Sequence, residues 1–270
     1  MLSRSMFRRC AALGAAMLVA GWAPIAQAQQ APPEPAMPLG ALAPSNLKKP
    51  RPAPPFDLTG TWLNDLRFQG SWRFGPPPPG VKLTPEAQKH FDAARQAQAD
   101  GKVYRDDIGQ CWPAGLPMIM TRVWPIAMVQ LPTVIYMVSG FMNSLRIVYL
   151  DGRSHTDPDI IVRTFNGESI GRWEKDTLVV DTTYFIGHHH WIDSGVPASD
   201  ALHIVERIKP VNGGAALEIE YTLTDPKSWE GEMKFTKRWN RVDDQDIAEV
   251  QCLPDLNQHI PSTQSKDNVR

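Results

Sequence analysis

The chain has 270 residues, of which 42 % are hydrophobic and 21 % are charged, and its formal net charge at pH 7 is −1. Its basic residues are scattered among acidic ones and form no basic stripe, so neither nucleic acid nor an anionic membrane is a favoured partner. Beyond the N-terminal region we find no segment long and apolar enough to suggest an integral membrane span. Nothing in the sequence indicates an oligomeric state.

Residues 1–28 have the composition of an export signal. Three arginines within the first nine residues precede an apolar run over residues 10–22, and Ala26-Gln27-Ala28 supplies the small residues of a cleavage site. A membrane-anchoring helix is the alternative, but the run is shorter than the roughly 20 residues that a span needs. Cleavage removes three basic residues and no acidic one, which leaves a net charge of −4. The sequence therefore predicts a periplasmic or secreted protein.

Cleavage would also leave two cysteines, Cys111 and Cys252. An even pair in an exported protein favours a disulfide, which here would tie the region before the predicted sheet to its end. Two unrelated buried thiols are the alternative. A cysteine–histidine nucleophile pair is less compatible with an oxidising compartment.

The composition divides the rest of the chain into three segments. Residues 29–55 are rich in proline and alanine with almost no large apolar side chains, which predicts a disordered linker. Residues 56–255 are predicted to form the folded domain, and residues 256–270 a C-terminal tail. The domain begins with a predicted strand over residues 56–62.

One helix is predicted near the start of the domain. Thr84 suits the N-cap position, Pro85 the first helical position, and Glu86 complements the helix dipole. The helix can run to about residue 100, where Gly101 ends it. Its moderate apolar content predicts a helix on the surface of the sheet.

From residue 118 onward the pattern changes to strands. Leu217, Ile219, Tyr221 and Leu223 alternate with polar residues, which indicates a strand with one buried and one solvated face. Such a meander closes into a barrel without long crossovers, so a mainly β, antiparallel barrel is favoured over a sandwich. The predicted strands cover residues 118–131, 134–138, 145–150, a hairpin at 169–183 turning at 174–176, 201–208, 217–224, 233–241 and 247–252.

Two patterns resemble known proteins. Gly60-Thr61-Trp62 resembles the opening strand of lipocalin-like barrels, where Gly-x-Trp closes one end of the barrel. Asp151-Gly152-Arg153-Ser154-His155, together with residues 169–183 and 199–207, resembles a widespread family of exported bacterial proteins. This resemblance implies a secreted, lipocalin-like β-barrel, and it implies no reaction or catalytic residues. The run at 187–190 is not part of the family pattern, which suggests a ligand particular to this chain.

That run contains three consecutive histidines. On a strand, His188 and His190 would share a face and could bind a metal, with Asp193 or His203 as a third ligand. They could also serve as acid and base near neutral pH. The alternative is a solvated loop after Phe185.

The segment from residue 201 to 208 is the second candidate. Glu206 shares a face with Leu202 and Ile204, where loss of hydration would raise its proton affinity and suit it to general acid catalysis. His203 lies on the opposite face with Arg207. The alternative is that Glu206 pairs with an arginine on a neighbouring strand.

A third candidate group centres on Arg146, which lies in an apolar strand and requires a partner if it is buried. Asp181 is one candidate partner. Asp151 and Arg153 flank a turn, and His155 follows them. This group could form a structural ion pair at a barrel end, or it could clamp a substrate carboxylate or an oxyanion.

These residues support three hypotheses about function. The first is a cofactor-independent acid–base enzyme of the lyase, isomerase or cyclase type, acting on a small, partly apolar molecule. His190 or His203 would transfer the proton, Glu206 would be the second acid–base residue, and Arg146 would stabilise negative charge, with Asp181 and His155 nearby. The second is a non-catalytic periplasmic carrier for an apolar ligand. The third is a protein that binds metal through His188 and His190.

Two observations bear on the choice between these hypotheses. The sequence has no nucleophile elbow, phosphate-binding loop, dinucleotide fingerprint or haem-attachment motif, so we predict no cofactor. Convergence of the ionisable side chains on a pocket would favour the enzyme, whereas outward or paired side chains would favour the carrier. Apolar residues that could form either core or cavity wall are Met118, Met120, Met128, Met137, Met142, Trp112, Trp124 and Phe141.

Overall fold

The computed structural model describes residues 38–68, 81–104, 107–193, 195–250 and 252–253. The predicted signal peptide, residues 1–28, and the predicted C-terminal tail, residues 256–270, lie outside the described residues. The described residues form three α-helices, α1 (Pro44–Leu47), α2 (Pro85–Ala99) and α3 (Met118–Thr121). The strands are β1 (Gly60–Asn64), β2 (Lys82–Leu83), β3 (Ile126–Leu131), β4 (Val134–Ser139), β5 (Ser144–Tyr149), β6 (Glu168–Glu174), β7 (Thr177–Thr183), β8 (Trp191–Asp193), β9 (Val196–Pro197), β10 (His203–Val211), β11 (Ala216–Thr224), β12 (Trp229–Glu230) and β13 (Met233–Val242).

Nine of these strands form a closed barrel in the order β1-β13-β11-β10-β7-β6-β5-β4-β3, and β3 pairs with β1 to complete it. The prediction of a mainly β barrel is confirmed. One pair departs from the predicted antiparallel meander, because β5 and β6 run parallel through Val148–Ser169 and Tyr149–Ile170. Residues 150–167 therefore cross from one end of the barrel to the other, and we call them the crossover segment. The short strands form two separate pairs, β2 with β12 and β8 with β9.

The alternation of apolar and polar residues explains the strands. Leu217, Ile219, Tyr221 and Leu223 of β11 are buried, as their spacing predicts. Asn212 and Gly213 both have positive φ in the turn before β11, which is the conformation that Asn-Gly sequences favour. Two predicted strands differ from the structure. The strand predicted over residues 118–131 is present over Ile126–Leu131, whereas Met118–Thr121 forms α3. The described part of residues 247–252 contains no strand.

Side chains of the chain itself fill the barrel interior. The inward-facing residues of β10, β11 and β13 are at most 6 % exposed, and those of β3, β4 and β5 at most 2 %. Trp62, Met128, Met137, Tyr221 and Trp239 are among the largest of them. A barrel of about this strand number has an interior just wide enough for its own side chains. The methionines at 128 and 137 are thus core residues.

An arginine closes one end of the barrel over the Gly-x-Trp motif. The guanidinium of Arg241 lies 4.3 Å from the centre of the Trp62 ring and donates a hydrogen bond of 2.6 Å to the carbonyl of Thr59. A Cβ at Gly60 would lie 2.4 Å from this guanidinium, and φ at Gly60 is +144°. Only glycine fits there, which explains the motif physically.

Helix α3 and the residues before it cover the other end. Leu116, Met118 and Met120 are buried. The amide of Asn64, at the end of β1, donates to the carbonyl of Thr121 at 3.1 Å. The hydroxyl of Ser139, at the end of β4, donates to the carbonyl of Ile119. Both ends of the barrel are therefore covered by packed side chains.

Helix α2 agrees with the prediction at both ends. The Thr84 hydroxyl accepts a hydrogen bond from the Ala87 amide, and Asp100 is the C-cap. Its buried face consists of small residues, and a Cβ at Gly195 would lie 2.5 Å from the Cβ of Ala94. This close approach places the helix against the segment that joins β8 to β9. Within the described residues, no helix has the length and apolarity required to cross a membrane.

Residues 38–55 differ from the prediction of a disordered linker. Asn46 in α1 is buried, and its amide donates to the carboxylate of Asp151 at 2.9 Å. The hydroxyl of Thr133 donates to the carbonyl of Ala41 at 2.7 Å. Composition overlooks this segment because buried polar contacts, rather than apolar area, hold it to the barrel. Residues 29–37 of the predicted linker lie outside the described residues.

Cys111 and Cys252 form a disulfide, with their Cα atoms 5.5 Å apart. The bond joins the loop between α2 and α3 to the segment that follows β13. The predicted pairing is confirmed, although Cys252 lies beyond the last strand rather than within one.

We predict that removing this disulfide lowers stability by about 2–5 kcal/mol, because the bond restricts the unfolded chain. The double variant Cys111→Ser, Cys252→Ser should unfold at lower urea concentration than the parent. A reducing agent should lower the midpoint of the parent to a similar value and leave the double variant unchanged. An equal midpoint for the reduced and oxidised parent would contradict the prediction.

Candidate functional site

The interior of the barrel contains a buried ion pair. Arg146 on β5 and Glu206 on β10 have side chains that are 0 % exposed. Nη1 of Arg146 donates to Oε1 of Glu206 at 3.0 Å, and Nη2 donates to the other carboxylate oxygen. Further hydrogen bonds from Arg146 reach the hydroxyls of Ser169 and Thr182, both at 3.2 Å. Glu206, rather than Asp181, is therefore the partner of Arg146.

This ion pair has the character of a structural element. Burial, and next the charge of Glu206, raise the pKa of the neighbouring Tyr221 well above its usual value, so Tyr221 stays protonated. Both carboxylate oxygens of Glu206 and the three nitrogens of the Arg146 guanidinium are engaged. The predicted roles of Glu206 in acid catalysis and of Arg146 in charge stabilisation stay predictions, for two side chains that are buried and bonded to each other.

A second polar group lies on the outer face of the barrel. Nε2 of His203 on β10 is 3.0 Å from Asp181 on β7, and the other oxygen of Asp181 is 2.9 Å from Nε2 of His155. Nδ1 of His155 is 2.9 Å from Glu168 on β6. The hydrogen bond to Asp181 raises the pKa of His203, and the hydrogen bond from His203 lowers the pKa of Asp181. We call Glu168, His155, Asp181 and His203 the outer polar chain.

The outer polar chain holds the crossover segment to the barrel. His155 belongs to residues 150–167, whereas its two carboxylate partners belong to strands β6 and β7. The sequence pointed to His155, Asp181 and His203 as catalytic candidates but did not bring them together. Their signal was weak because strand pairing decides which outward-facing residues become neighbours.

The three consecutive histidines point in different directions. His190 is 1 % exposed, and its Nε2 lies 2.6 Å from the carbonyl of Leu116. His189 stacks on Trp112 with the ring centres 4.0 Å apart, while His188 is exposed. Positive φ at His189 breaks the strand geometry on which the metal hypothesis depended.

Neither predicted role of these histidines gains support from the geometry. Burial lowers the pKa of His190 to about 4, so the ring is neutral at pH 7 and donates to the carbonyl of Leu116. His188 and His190 do not share a face. Among the described residues, no group of three or more His, Cys, Asp or Glu side chains is placed to hold a metal ion.

A cavity of about 710 Å³ lies outside the barrel, against strand β5. Its floor consists of the outward-facing Leu145, Ile147 and Tyr149. The crossover segment forms a second side, and the residues around the Cys111–Cys252 disulfide form a third. We call this cavity the β5 cleft. It is lined by Cys111, Pro113, Met142, Ser144, Leu145, Ile147, Tyr149, Ile161, Val162, Thr164, Phe165, Asn166, Gly167, Glu168, Val250 and Cys252.

The few polar groups of the β5 cleft are held in place by hydrogen bonds. The amide of Asn166 donates to the Ser144 hydroxyl at 3.0 Å and to the carbonyl of Leu145 at 2.9 Å. Glu168 accepts from the Thr156 amide at 2.9 Å and from its hydroxyl at 2.5 Å. Burial opposes ionisation of Glu168, but the hydrogen bonds outweigh it and lower its pKa. Glu168 is therefore an anion at neutral pH.

Sequence analysis missed the β5 cleft, although β5 carries a signal for it. Leu145 and Ile147 face outward and alternate with Arg146 and Val148, which face inward. Apart from Arg146, these side chains are apolar on both faces of the strand. A strand at the surface of a barrel normally has a polar outer face. Apolar residues on both faces indicate that something covers the outer one.

The fold and this cleft define the class: a closed β-barrel with a filled interior and an apolar cleft on its outer face. No protein-family model matches the sequence, and no curated protein matches it. Among solved structures, a chain described as "REP1-NXSQ fatty acid transporter" is similar at a TM-score of 0.33 and 11 % identity, over 70 % of this chain and 98 % of that one. Similarity at this level carries no argument about function.

We predict that removing one partner of the buried ion pair lowers the free energy of unfolding more than replacing both partners with apolar residues. Glu206→Leu should lower the free energy of unfolding by about 3–5 kcal/mol, because it leaves the Arg146 charge buried without its partner. Adding Arg146→Met should recover most of that loss. Urea unfolding of the two single variants and the double variant measures the effect. A double variant as unstable as the sum of the single variants would contradict it.

We predict that His190 weakens the fold in acid. Its pKa is about 4 in the folded protein against 6.5 for an unperturbed histidine, so the unfolded chain binds more protons between these values. Stability should therefore fall as the pH is lowered from 6.5 towards 4. His190→Asn should be less stable at pH 7, since it loses packing, yet show a shallower decline over this interval. Urea midpoints across the interval give both slopes, and equal slopes would refute the assignment.

Proposed function

We propose that this protein is an exported binding protein or carrier that holds a small, mostly apolar molecule in the β5 cleft without chemical turnover. The volume of the cleft carries the proposal, because about 710 Å³ lies within the range of small-molecule sites, roughly 300–1,000 Å³. Its lining is mostly apolar with a few fixed polar groups, which is the usual composition of such sites.

The position of the ligand differs from that in a barrel with an internal cavity. Packed side chains and the Arg146–Glu206 pair occupy the interior, so binding there would require the core to be displaced. The β5 cleft requires no such displacement. Leu145 and Val162, which line it, are both exposed large apolar residues. Covering exposed apolar surface of this kind is favourable at about 25 cal/mol per Å².

The pairing of the ionisable residues supports a carrier over an acid–base enzyme. Arg146 and Glu206 bind each other, His203 binds Asp181, and His190 binds a backbone carbonyl. These are the arrangements that would favour the carrier. An enzyme would have to use Glu168 and His155, the pair nearest the cleft, but Glu168 is already hydrogen-bonded through both oxygens.

Export is part of the proposal. The disulfide is consistent with an oxidising compartment outside the cytoplasm. The export signal at residues 1–28 and the resemblance to exported bacterial lipocalin-like proteins agree with this compartment. Together they suggest that the protein meets its ligand in the periplasm or outside the cell.

We predict that the fluorescent apolar probe N-phenyl-1-naphthylamine binds the full-length protein in the β5 cleft. Val162→Arg should weaken binding by about tenfold, since it places a charged side chain in an apolar lining. Val162 is 79 % exposed, so the substitution should leave the fold intact. The measurement is a fluorescence titration, with urea unfolding to check stability.

Ile160→Arg is the matched control for this experiment. Ile160 is 65 % exposed on the same crossover segment but does not line the cleft. Its variant should bind the probe like the parent. Absence of probe binding to the parent, or an equal loss in both variants, would overturn the proposed site.

A further inference from the structure

The lining of the β5 cleft includes a charged side chain. Among the described residues that line it, Glu168 is the one acid, and the others are apolar or neutral and polar. Its carboxylate accepts three hydrogen bonds, from the Thr156 amide, the Thr156 hydroxyl and His155. A carboxylate has about four acceptor positions, so one remains for a donor from a ligand.

The neighbours of Glu168 do not reverse its charge. The outer polar chain contains two carboxylates and two imidazoles. While both carboxylates are ionised, its summed charge is zero when both histidines are protonated and negative when either one is neutral. Arg153, which interacts electrostatically with Glu168, is hydrogen-bonded to Asp151 at 2.6 Å, and the Arg153–Asp151 pair carries no net charge.

Aromatic side chains accompany the carboxylate. Phe165 and Tyr149 both line the β5 cleft, and the Arg153 guanidinium already lies over the Tyr149 ring at 4.0 Å. A cation near an aromatic face gains about 0.5–2 kcal/mol according to its exposure. The side of the cleft near Glu168 thus combines an anion with surfaces that accept positive charge.

We infer that the molecule bound in the β5 cleft, whose existence rests on the proposed function, is an apolar amine in its protonated form. Its hydrocarbon or aromatic body contacts Leu145, Ile147 and Val162, and its ammonium group lies beside Glu168. An apolar carboxylate, such as a fatty acid, is disfavoured because it would bring a second negative charge to Glu168 without a cation to pair with it.

The test compares three molecules of matched size that differ only in the head group. 4-Phenylbutylamine, 4-phenylbutanol and 4-phenylbutyrate are cationic, neutral and anionic at pH 7. Each is titrated against N-phenyl-1-naphthylamine bound to the full-length protein. We expect the amine to displace the probe about tenfold more effectively than the carboxylate, with the alcohol between them.

Glu168→Gln should remove the advantage of the amine over the alcohol, because it removes the negative charge and keeps the shape of the side chain, and urea unfolding checks that the variant is folded. Glu174→Gln is the matched control, since Glu174 lies on the same strand and pairs with Arg172 and Arg207 away from the cleft. Its variant should keep the preference of the parent.

The outcomes distinguish the amine inference from the proposed binding function. If the probe binds but the carboxylate equals or exceeds the amine, or if Glu168→Gln keeps the preference, the amine inference falls and the cleft remains a binding site. If the probe does not bind the parent at all, the proposed function falls, and the inference falls with it.

Discussion

Strands β5 and β6 run parallel, so the chain between them must return along the outside of the barrel before it can pair again. That return places residues 150–167 over the outer face of β5. It forms one side of the cleft that Leu145 and Ile147 line, and it brings His155 to the carboxylates of β6 and β7. The cleft and the two contacts of His155 in the outer polar chain both depend on this one parallel pair, whereas the His203–Asp181 contact joins two antiparallel strands.

The packed interior has a complementary effect on where a ligand can bind. Arg146 and Glu206 meet at the centre of a barrel whose remaining inward residues are mostly aliphatic and aromatic. Burying two charges is costly and is offset only by full hydrogen bonding, which Ser169 and Thr182 help to supply. A ligand in the interior would have to displace these packed side chains. The proposed binding site therefore lies on the outer surface, in the cleft that the crossover segment forms.

Local patterns in the sequence were enough for the barrel but not for the site. Alternation along β11 and the Gly60–Trp62 motif depend on neighbours within a few residues, so they could be recognised directly. The partner of Arg146 depends on which strands are adjacent, and the two residues are 60 positions apart in the chain. His188 and His190 do not share a face as predicted, because positive φ at His189 interrupts the strand on which that prediction depends. Single-sequence patterns contain no record of such long-range pairings.

Glu168 belongs both to the outer polar chain and to the lining of the β5 cleft. It accepts from His155, which holds the crossover segment to the barrel, and it is the charged group of the cleft that this segment encloses. Three hydrogen bonds from the crossover segment leave one of its acceptor positions for the inferred ammonium group. The same carboxylate would therefore hold both the crossover segment and the ligand.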